Sequence, residues 1–417
     1  MNVKLTKLLT SRFLNIQLLL NCLNSVIGGY AVIYLKFKGF TSIEIGFILS
    51  LAAILSIIVQ PLVASFADNT NKFTLRQIVM FVVVLNCLLC FVLLLGGQTK
   101  SIILLLFILI SAVHSTISPL TNSLVIEFIN KGILINYGLT RGIGSFAFAV
   151  TSILVGTIIG MFNPNILIIL GILFYILELI SVYFFRLLPD QAKSLASPPI
   201  MYDVSYASKQ GKDDLMKTSS TFSFLKKYKK FTVFLLGLVL MYYSYLIINT
   251  YFINIFENVG GGSRELGIGL AIAATLELPI MAIFTLLLRR FKCSSMIKFA
   301  AIFYLIKSLV TLFAPSIAML YFSQTLQFFS FGLFTPASLY YVNTIIPPQD
   351  SVKGQTMINV ATFGLSAVLA NLTGGILQET VGIFNMLLIA TIVTGIGVAV
   401  VIWTTEDTGD FSNQRLK

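Results

Sequence analysis

The chain has 417 residues, 57% of them hydrophobic and 11% charged, with a mean hydropathy of +0.93. Soluble domains carry about 25% charged residues, so this composition excludes a soluble enzyme; it also excludes a disordered chain, and four cysteines are too few for a disulfide scaffold. The net charge of +12 would suggest nucleic acid in a soluble protein, but its placement along the chain signals topology instead, and no nucleic-acid partner is expected.

Crossing roughly 30 Å of hydrocarbon takes about 20 apolar residues. Twelve such spans are predicted, near 13–35, 43–66, 75–97, 101–128, 138–160, 165–187, 230–256, 265–289, 295–314, 317–344, 353–377 and 381–404. The first lacks a small-residue cleavage site and is read as an uncleaved span. An even number of spans puts both termini on one side. Segments on that side hold 22 Lys and Arg, whereas the opposite loops hold Lys36, Lys38, Lys100 and Arg264. The positive-inside rule therefore predicts a multi-pass cell-membrane protein with both termini in the cytoplasm.

The fold class is all-α integral membrane. A six-helix bundle is expected over 1–187, a cytoplasmic linker over 188–229, and a second six-helix bundle with a cytoplasmic tail over 230–417. The linker ends in the basic stretch FLKKYKKF, suited to lie against anionic headgroups. Duplication of the halves is indicated by Ser42-x-Glu44-x-Gly46 followed by Ala52-Ala53, which returns as Ser263-x-Glu265-x-Gly267 followed by Ala273-Ala274 at an offset of 221 residues. Glycines inside the spans, together with Pro61, Pro119, Pro279 and Pro336, serve close packing or the bending that rocking halves need. Cys87 and Cys90 form a C-x-x-C in mid-span and read as apolar filler.

An ionisable side chain inside lipid costs about 2.5–3.5 kcal/mol even on the lenient insertion scale, so such residues mark functional sites. They are His114, Glu127, Arg141, Glu178, Glu277 and Lys307. Arg141 lies past the helix start in NYGLTRGIGSFAF, where its planar fork can bind two adjacent hydroxyls or a carboxylate and Phe148 offers a face for a ring. Glu127 pairs with Arg141 or snorkels to the interface. Glu277 precedes Pro279 near mid-span and is either a site residue or a structural partner for Lys307. His114 beside Ser115 and Thr116 is either a hydrogen-bonded helix-contact residue or a proton relay, the first reading being favoured, and Glu178 faces either a partner or lipid. There is no nucleophile arrangement and no P-loop, so no enzyme activity and no cofactor are expected, and any pumping draws on an ion gradient.

The whole chain resembles the major facilitator superfamily, and several segments resemble its lactose permease and oligosaccharide:proton symporter branch. QPLVASFAD is similar to that branch's entry to the loop after span 2, with Gln60, Pro61, Leu62 and Asp68 matching; the resemblance makes Asp68 and Pro61 gating residues. YGLTRGIGSFAFAVTSILVG is similar to its span 5, which places Arg141 on the sugar-binding arginine, Phe148 on a sugar-stacking aromatic position and Glu127 on the glutamate that arranges the arginine. Glu277 matches a glutamate of sugar contact and proton coupling, and Lys307 falls on a coupling arginine. Span 10 departs: Gln324, Gln327 and Ser330 replace the branch's lysine, histidine and glutamate.

The implied activity is secondary active transport of a small polar solute, a sugar, oligosaccharide or nucleoside, by alternating access of a monomer, with protons as co-substrate. Coupling would use Glu277 and Lys307, joined by Glu178 or Glu127. Asn249, Tyr243, Gln324 and Gln327 either hydrogen-bond the solute or hold helices together. A uniporter or exchanger and a drug or metabolite exporter are the alternatives within the fold; a non-transporting receptor or scaffold is the alternative outside it.

Overall fold

The computed structural model describes residues 3–70, 72–96, 99–130, 135, 137–186 and 221–407, so most of the expected linker lies outside the described residues. In hydrocarbon every backbone N–H and C=O must be satisfied within the segment, and the described chain accordingly folds as helices. They are α1 (Val3–Leu23), α2 (Ala31–Phe37), α3 (Ser42–Asn69), α4 (Leu75–Gly96), α5 (Lys100–His114), α6 (Ile117–Asn130), α7 (Tyr137–Met161) and α8 (Ile166–Phe184). After the linker come α9 (Thr221–Lys227), α10 (Lys229–Thr250), α11 (Phe252–Asn258), α12 (Ser263–Leu288), α13 (Cys293–Leu312), α14 (Ile317–Thr325), α15 (Phe331–Ile345), α16 (Pro348–Asn359) and α17 (Ser366–Thr404).

Among the described residues ten helical stretches are long and apolar enough to span a membrane, and a bent pair, Thr6–Gly29 with Ala31–Phe37 at 44°, makes an eleventh. One of the ten, Asp350–Thr404, is 55 residues long. At about 1.5 Å per residue it is far too long for one crossing of roughly 30 Å. Gly382, at φ 82° and ψ 170°, breaks it into two helices. That backbone region is open essentially only to glycine, and counting the two helices separately gives the twelve spans expected.

The chain divides into two compact units, one of residues 1–40 and 51–209 and one of residues 41–50 and 210–417. The repeat seen in the sequence reaches further in the structure. Tyr30 and Tyr251, 221 residues apart, are both fully buried and both break a span, at φ −114° and −100°. Each ring hydroxyl donates to a main-chain carbonyl of its own unit, Ser152 for Tyr30 and Asn371 for Tyr251. The short helices α2 and α11 then match residue for residue, and Gly39 and Gly260 share φ 81°. The Ser-x-Glu-x-Gly motif starts the next helix in both halves: the Glu44 carboxylate accepts from the Thr41 N–H and that of Glu265 from the Gly262 N–H, each at 2.8 Å. The repeated glutamates are helix-start devices, satisfying donors that a helix N-terminus leaves open.

In the second unit α10 and α17 pack closely. A Cβ on Gly397 would meet the Met241 nitrogen at 2.3 Å, and one on Gly237 would meet Val400 at 2.9 Å. Small residues let the backbones approach, and hydroxyls lock the contact: Ser308 lies 2.5 Å from Ser244 and 2.7 Å from Thr391. Beside it sits an aromatic core of Phe231, Phe234, Tyr242, Tyr304, Phe334 and Tyr341. Large exposed side chains such as Phe81, Phe146, Leu236 and Trp403 form the apolar exterior that lipid covers.

Candidate functional site

Span 10 is not a continuous helix. After α14 one 3-10 turn, Leu326–Phe328, intervenes, and Ser330 leaves helical geometry at φ −90°, ψ −95° before α15 begins. Residues three apart share a helix face, so Gln324, in the last turn of α14, and Gln327, in the 3-10 turn, present their amides together, and Lys307 on α13 fills the space they define. The Lys307 Nζ donates to Gln327 Oε1 at 2.6 Å and to Gln324 Oε1 at 3.1 Å, and lies 5.5 Å from the centre of the Tyr245 ring. Two carbonyl oxygens and an aromatic face thus serve an ammonium whose side chain is 2% exposed.

The Gln327 amide has only one workable orientation, because lysine can only donate. Its Nε2 then donates to Glu277 Oε1 at 3.1 Å and to the Tyr245 hydroxyl at 3.3 Å. The expected partnership of Glu277 with Lys307 is therefore relayed through Gln327, with the ammonium within electrostatic range of the carboxylate. Asn249 lies one turn from Tyr245 on α10. Tyr245 stacks on Phe331 at 5.3 Å and meets Tyr242 and Tyr304 edge to face. Glu277, Tyr245 and Asn249 are only half-buried, so the network has one open side. Tyr243 is committed elsewhere, its hydroxyl 2.6 Å from that of Thr373.

In the first unit Arg141 is exposed near the start of α7, Phe148 is half-buried two turns on, and Glu127 is half-buried near the end of α6. Gly144 gives α7 room beside α1, since a Cβ there would meet Asn21 Nδ2 at 2.5 Å and the Gln17 carbonyl at 3.2 Å. Pro61 and Asp68 are both exposed on α3. His114 is a helix-contact residue, as its neighbours suggested: Nε2 lies 3.0 Å from Asn24 Oδ1 and Nδ1 2.9 Å from the Tyr175 hydroxyl. Glu178 is fully buried on α8 and not lipid-facing, and neither carboxylate oxygen has a hydrogen-bond partner among the described residues.

Two features escaped the sequence reading. Tyr245 forms the aromatic floor under Lys307, and its position one turn before Asn249 was a readable signal. Gln17, Asn21 and Asn24 recur at helical spacing along the first span, and Gln17 reaches within 3.5 Å of Asn122. That polar stripe leads into a π-helical turn, Asn24–Gly29, at the bend of the span, an irregularity frequent at functional sites.

The fold is that of a multi-pass membrane protein with a polar network inside its second unit. The chain belongs to the MFS_1 like family, whose model matches residues 23–389, and it is a transporter of the major facilitator superfamily rather than an enzyme. It is 26% identical over 360 residues to the maltose permease of Geobacillus stearothermophilus, covering 86% of this chain and 84% of the relative. It is 24% identical over 369 residues to the uncharacterized transporter YwbF of Bacillus subtilis (strain 168), covering 87% and 85%. In fold it is similar to the nucleoside transporter NupG (TM-score 0.75, 17% identity, 97% and 98% covered) and to the D-xylose-proton symporter (TM-score 0.67, 14% identity, 96% and 97% covered).

Proposed function

We propose that the protein imports a sugar or oligosaccharide across the cell membrane by alternating access, coupled to protons, with both termini in the cytoplasm. The observation that carries this reading is the buried ammonium of Lys307, held on Gln324 and Gln327 and relayed by the Gln327 amide to the half-open carboxylate of Glu277. The likeness to a maltose permease over most of both chains supports the sugar class. Hydroxyl groups of the solute engage Glu277 and Asn249 at the open side of the network, and Arg141 with Phe148 recognises the sugar in the first half, with Glu127 beside it. Gln327 acts from behind, setting the carboxylate's position. Glu277 carries the proton, Lys307 supplies the counter-charge that favours its release, and Glu178 is a second proton carrier. Asp68 and Pro61 on α3 govern the change of conformation.

A second reading within the fold, uniport or exchange, is favoured by one observation: the span-10 positions that hold lysine, histidine and glutamate in the resembled branch are Gln324, Gln327 and Ser330 here, none of them titratable. The binding assignment is tested by an Arg141→Ala variant in liposomes loaded for maltose uptake. Losing a bidentate hydroxyl contact to a charged group costs about 1.5–3 kcal/mol, so uptake at low substrate is expected to fall at least tenfold with expression unchanged. Near-normal uptake would remove Arg141 from the site, and absence of any solute flux in the parent would favour a receptor.

A further inference from the structure

Positively charged residues are scarce in the loops on the face opposite the N-terminus: Lys36, Lys38, Lys100 and Arg264 are the four. Two of them line a single cleft of about 580 Å³ in the first unit. It lies between the ends of α2, α4, α5 and α8, with walls that include Tyr34, Phe37, Leu94 and Asn165 besides Lys38 and Lys100. No lining residue is acidic.

The two lysines come together by construction. Gly39, at φ 81°, turns the chain sharply after α2, and the Lys100 Cε lies within 3.8 Å of where a Cβ on Gly39 would be. Aromatic rings hold both ammonium groups in place: the Lys38 Nζ is 5.6 Å from the Tyr34 ring centre and 5.9 Å from that of Phe37, and the Lys100 Nζ is 5.3 Å from that of Phe40. Tyr34 is itself stacked on Phe107 at 6.1 Å. The helices α5 and α8 both begin at this cleft, with Lys100 and Asn165 at their starts, so the positive ends of two helix dipoles point the same way.

The turn does not require the charge of Lys38: the internal repeat places Val259 there, in the loop that copies α2 and its glycine turn. Both lysines stand against the topological bias that keeps cations on the other side. Around the cleft the surface is apolar: Phe37, Leu94, Leu95, Ile102 and Ile169 are all exposed. A phosphate lodged between the ammonium groups would thus continue into hydrocarbon rather than water.

We propose that this cleft binds the phosphodiester headgroup of an anionic phospholipid from the outer leaflet, with Lys38 and Lys100 clasping the phosphate. The site is separate from the Lys307 network and independent of the transported solute.

The test uses full-length protein, delipidated and offered phosphatidylglycerol or phosphatidylcholine in mixed micelles, with bound lipid counted by native mass spectrometry. The parent is expected to retain phosphatidylglycerol in preference to phosphatidylcholine. Each of K38Q and K100Q should weaken retention about fivefold and the double variant about 25-fold, as expected for roughly one unit of headgroup attraction lost per lysine. A K72Q control, in the loop between α3 and α4 at the other end of the first unit, should leave this retention unchanged. Lys100 is exposed and Lys38 half-buried, and thermal melts of the variants check that folding is intact. Equal retention of the two lipids, or retention unchanged in K38Q/K100Q, would overturn the site. Displacement of phosphatidylglycerol by millimolar inorganic phosphate would overturn the lipid assignment in favour of a free anion.

Discussion

Replacing Lys307 by methionine is expected to abolish transport, with uptake reduced at least a hundredfold, and to lower the melting temperature of the purified protein. The ammonium serves two glutamine oxygens at 2.6 and 3.1 Å and lies near Glu277 in a site closed to water on its own side. Methionine has similar length and no donor. It leaves Gln324 Oε1 and Gln327 Oε1 without their donor and removes the nearby cation from Glu277. Breaking one side of a buried charge network costs about 3–5 kcal/mol, whereas replacing both charges together is close to neutral. The double variant Lys307→Met with Glu277→Gln should therefore recover most of the lost stability while remaining inactive in coupled transport. A single variant as stable as the parent, or a double variant less stable than the single one, would show that Lys307 and Glu277 do not act as a pair. Uptake and thermal melts on the same preparations separate the two effects.

The second large effect is expected at Gly397. Its helix runs against α10 so closely that any Cβ would lie 2.3 Å from the Met241 nitrogen and 2.6 Å from the Leu240 carbonyl carbon, both main-chain atoms that cannot rotate away. Gly397→Leu must push the two helices apart. That separation would also strain the hydroxyl contacts Ser244–Ser308–Thr391 and the hydrogen bond from the Ser244 N–H to Thr394 Oγ1 at 3.2 Å. Overpacking a tight core costs about 1–3 kcal/mol for a few added methylenes, and a backbone contact gives less room to relax. The variant is expected to express poorly and to aggregate on solubilisation, measured by size-exclusion chromatography of a fluorescent fusion. A monodisperse peak at parental yield would mean that the α10–α17 approach is wider than described.

Much of this architecture was legible in the sequence because the bilayer imposes it. Span lengths and their apolar content follow from the hydrocarbon thickness, and the family reading rested on Arg141, Glu277 and the QPL segment before any coordinates. The Ser-x-Glu-x-Gly repeat was visible too, but only as identical letters. The identical pairs Tyr30 and Tyr251, and Gly39 and Gly260, stand at the same offset, but the match of α2 with α11 between them needed backbone geometry, since intervening residues such as Lys38 and Val259 share no chemistry.

The relay through Gln327 was not legible for a similar reason. Periodicity puts Gln324 and Gln327 on one face of span 10, but it does not say that this face meets Lys307 on α13, nor that a 3-10 turn at Leu326–Phe328 interrupts the span there. Glu178 shows the opposite limit. Its neighbours Ile, Leu and Phe suggested lipid as readily as core, and only packing of α8 in the first unit settled that it is buried.

Proton movement driven by the transported sugar tests the central claim most directly. Weakly buffered, de-energised cells are given maltose while the external pH is recorded, with the parent and a Glu277→Gln variant side by side. Coupling through Glu277 predicts alkalinisation of the medium with the parent and none with the variant, which should still exchange labelled sugar across the membrane. Sugar entry by the parent with no pH change, or alkalinisation that persists in Glu277→Gln, would contradict it.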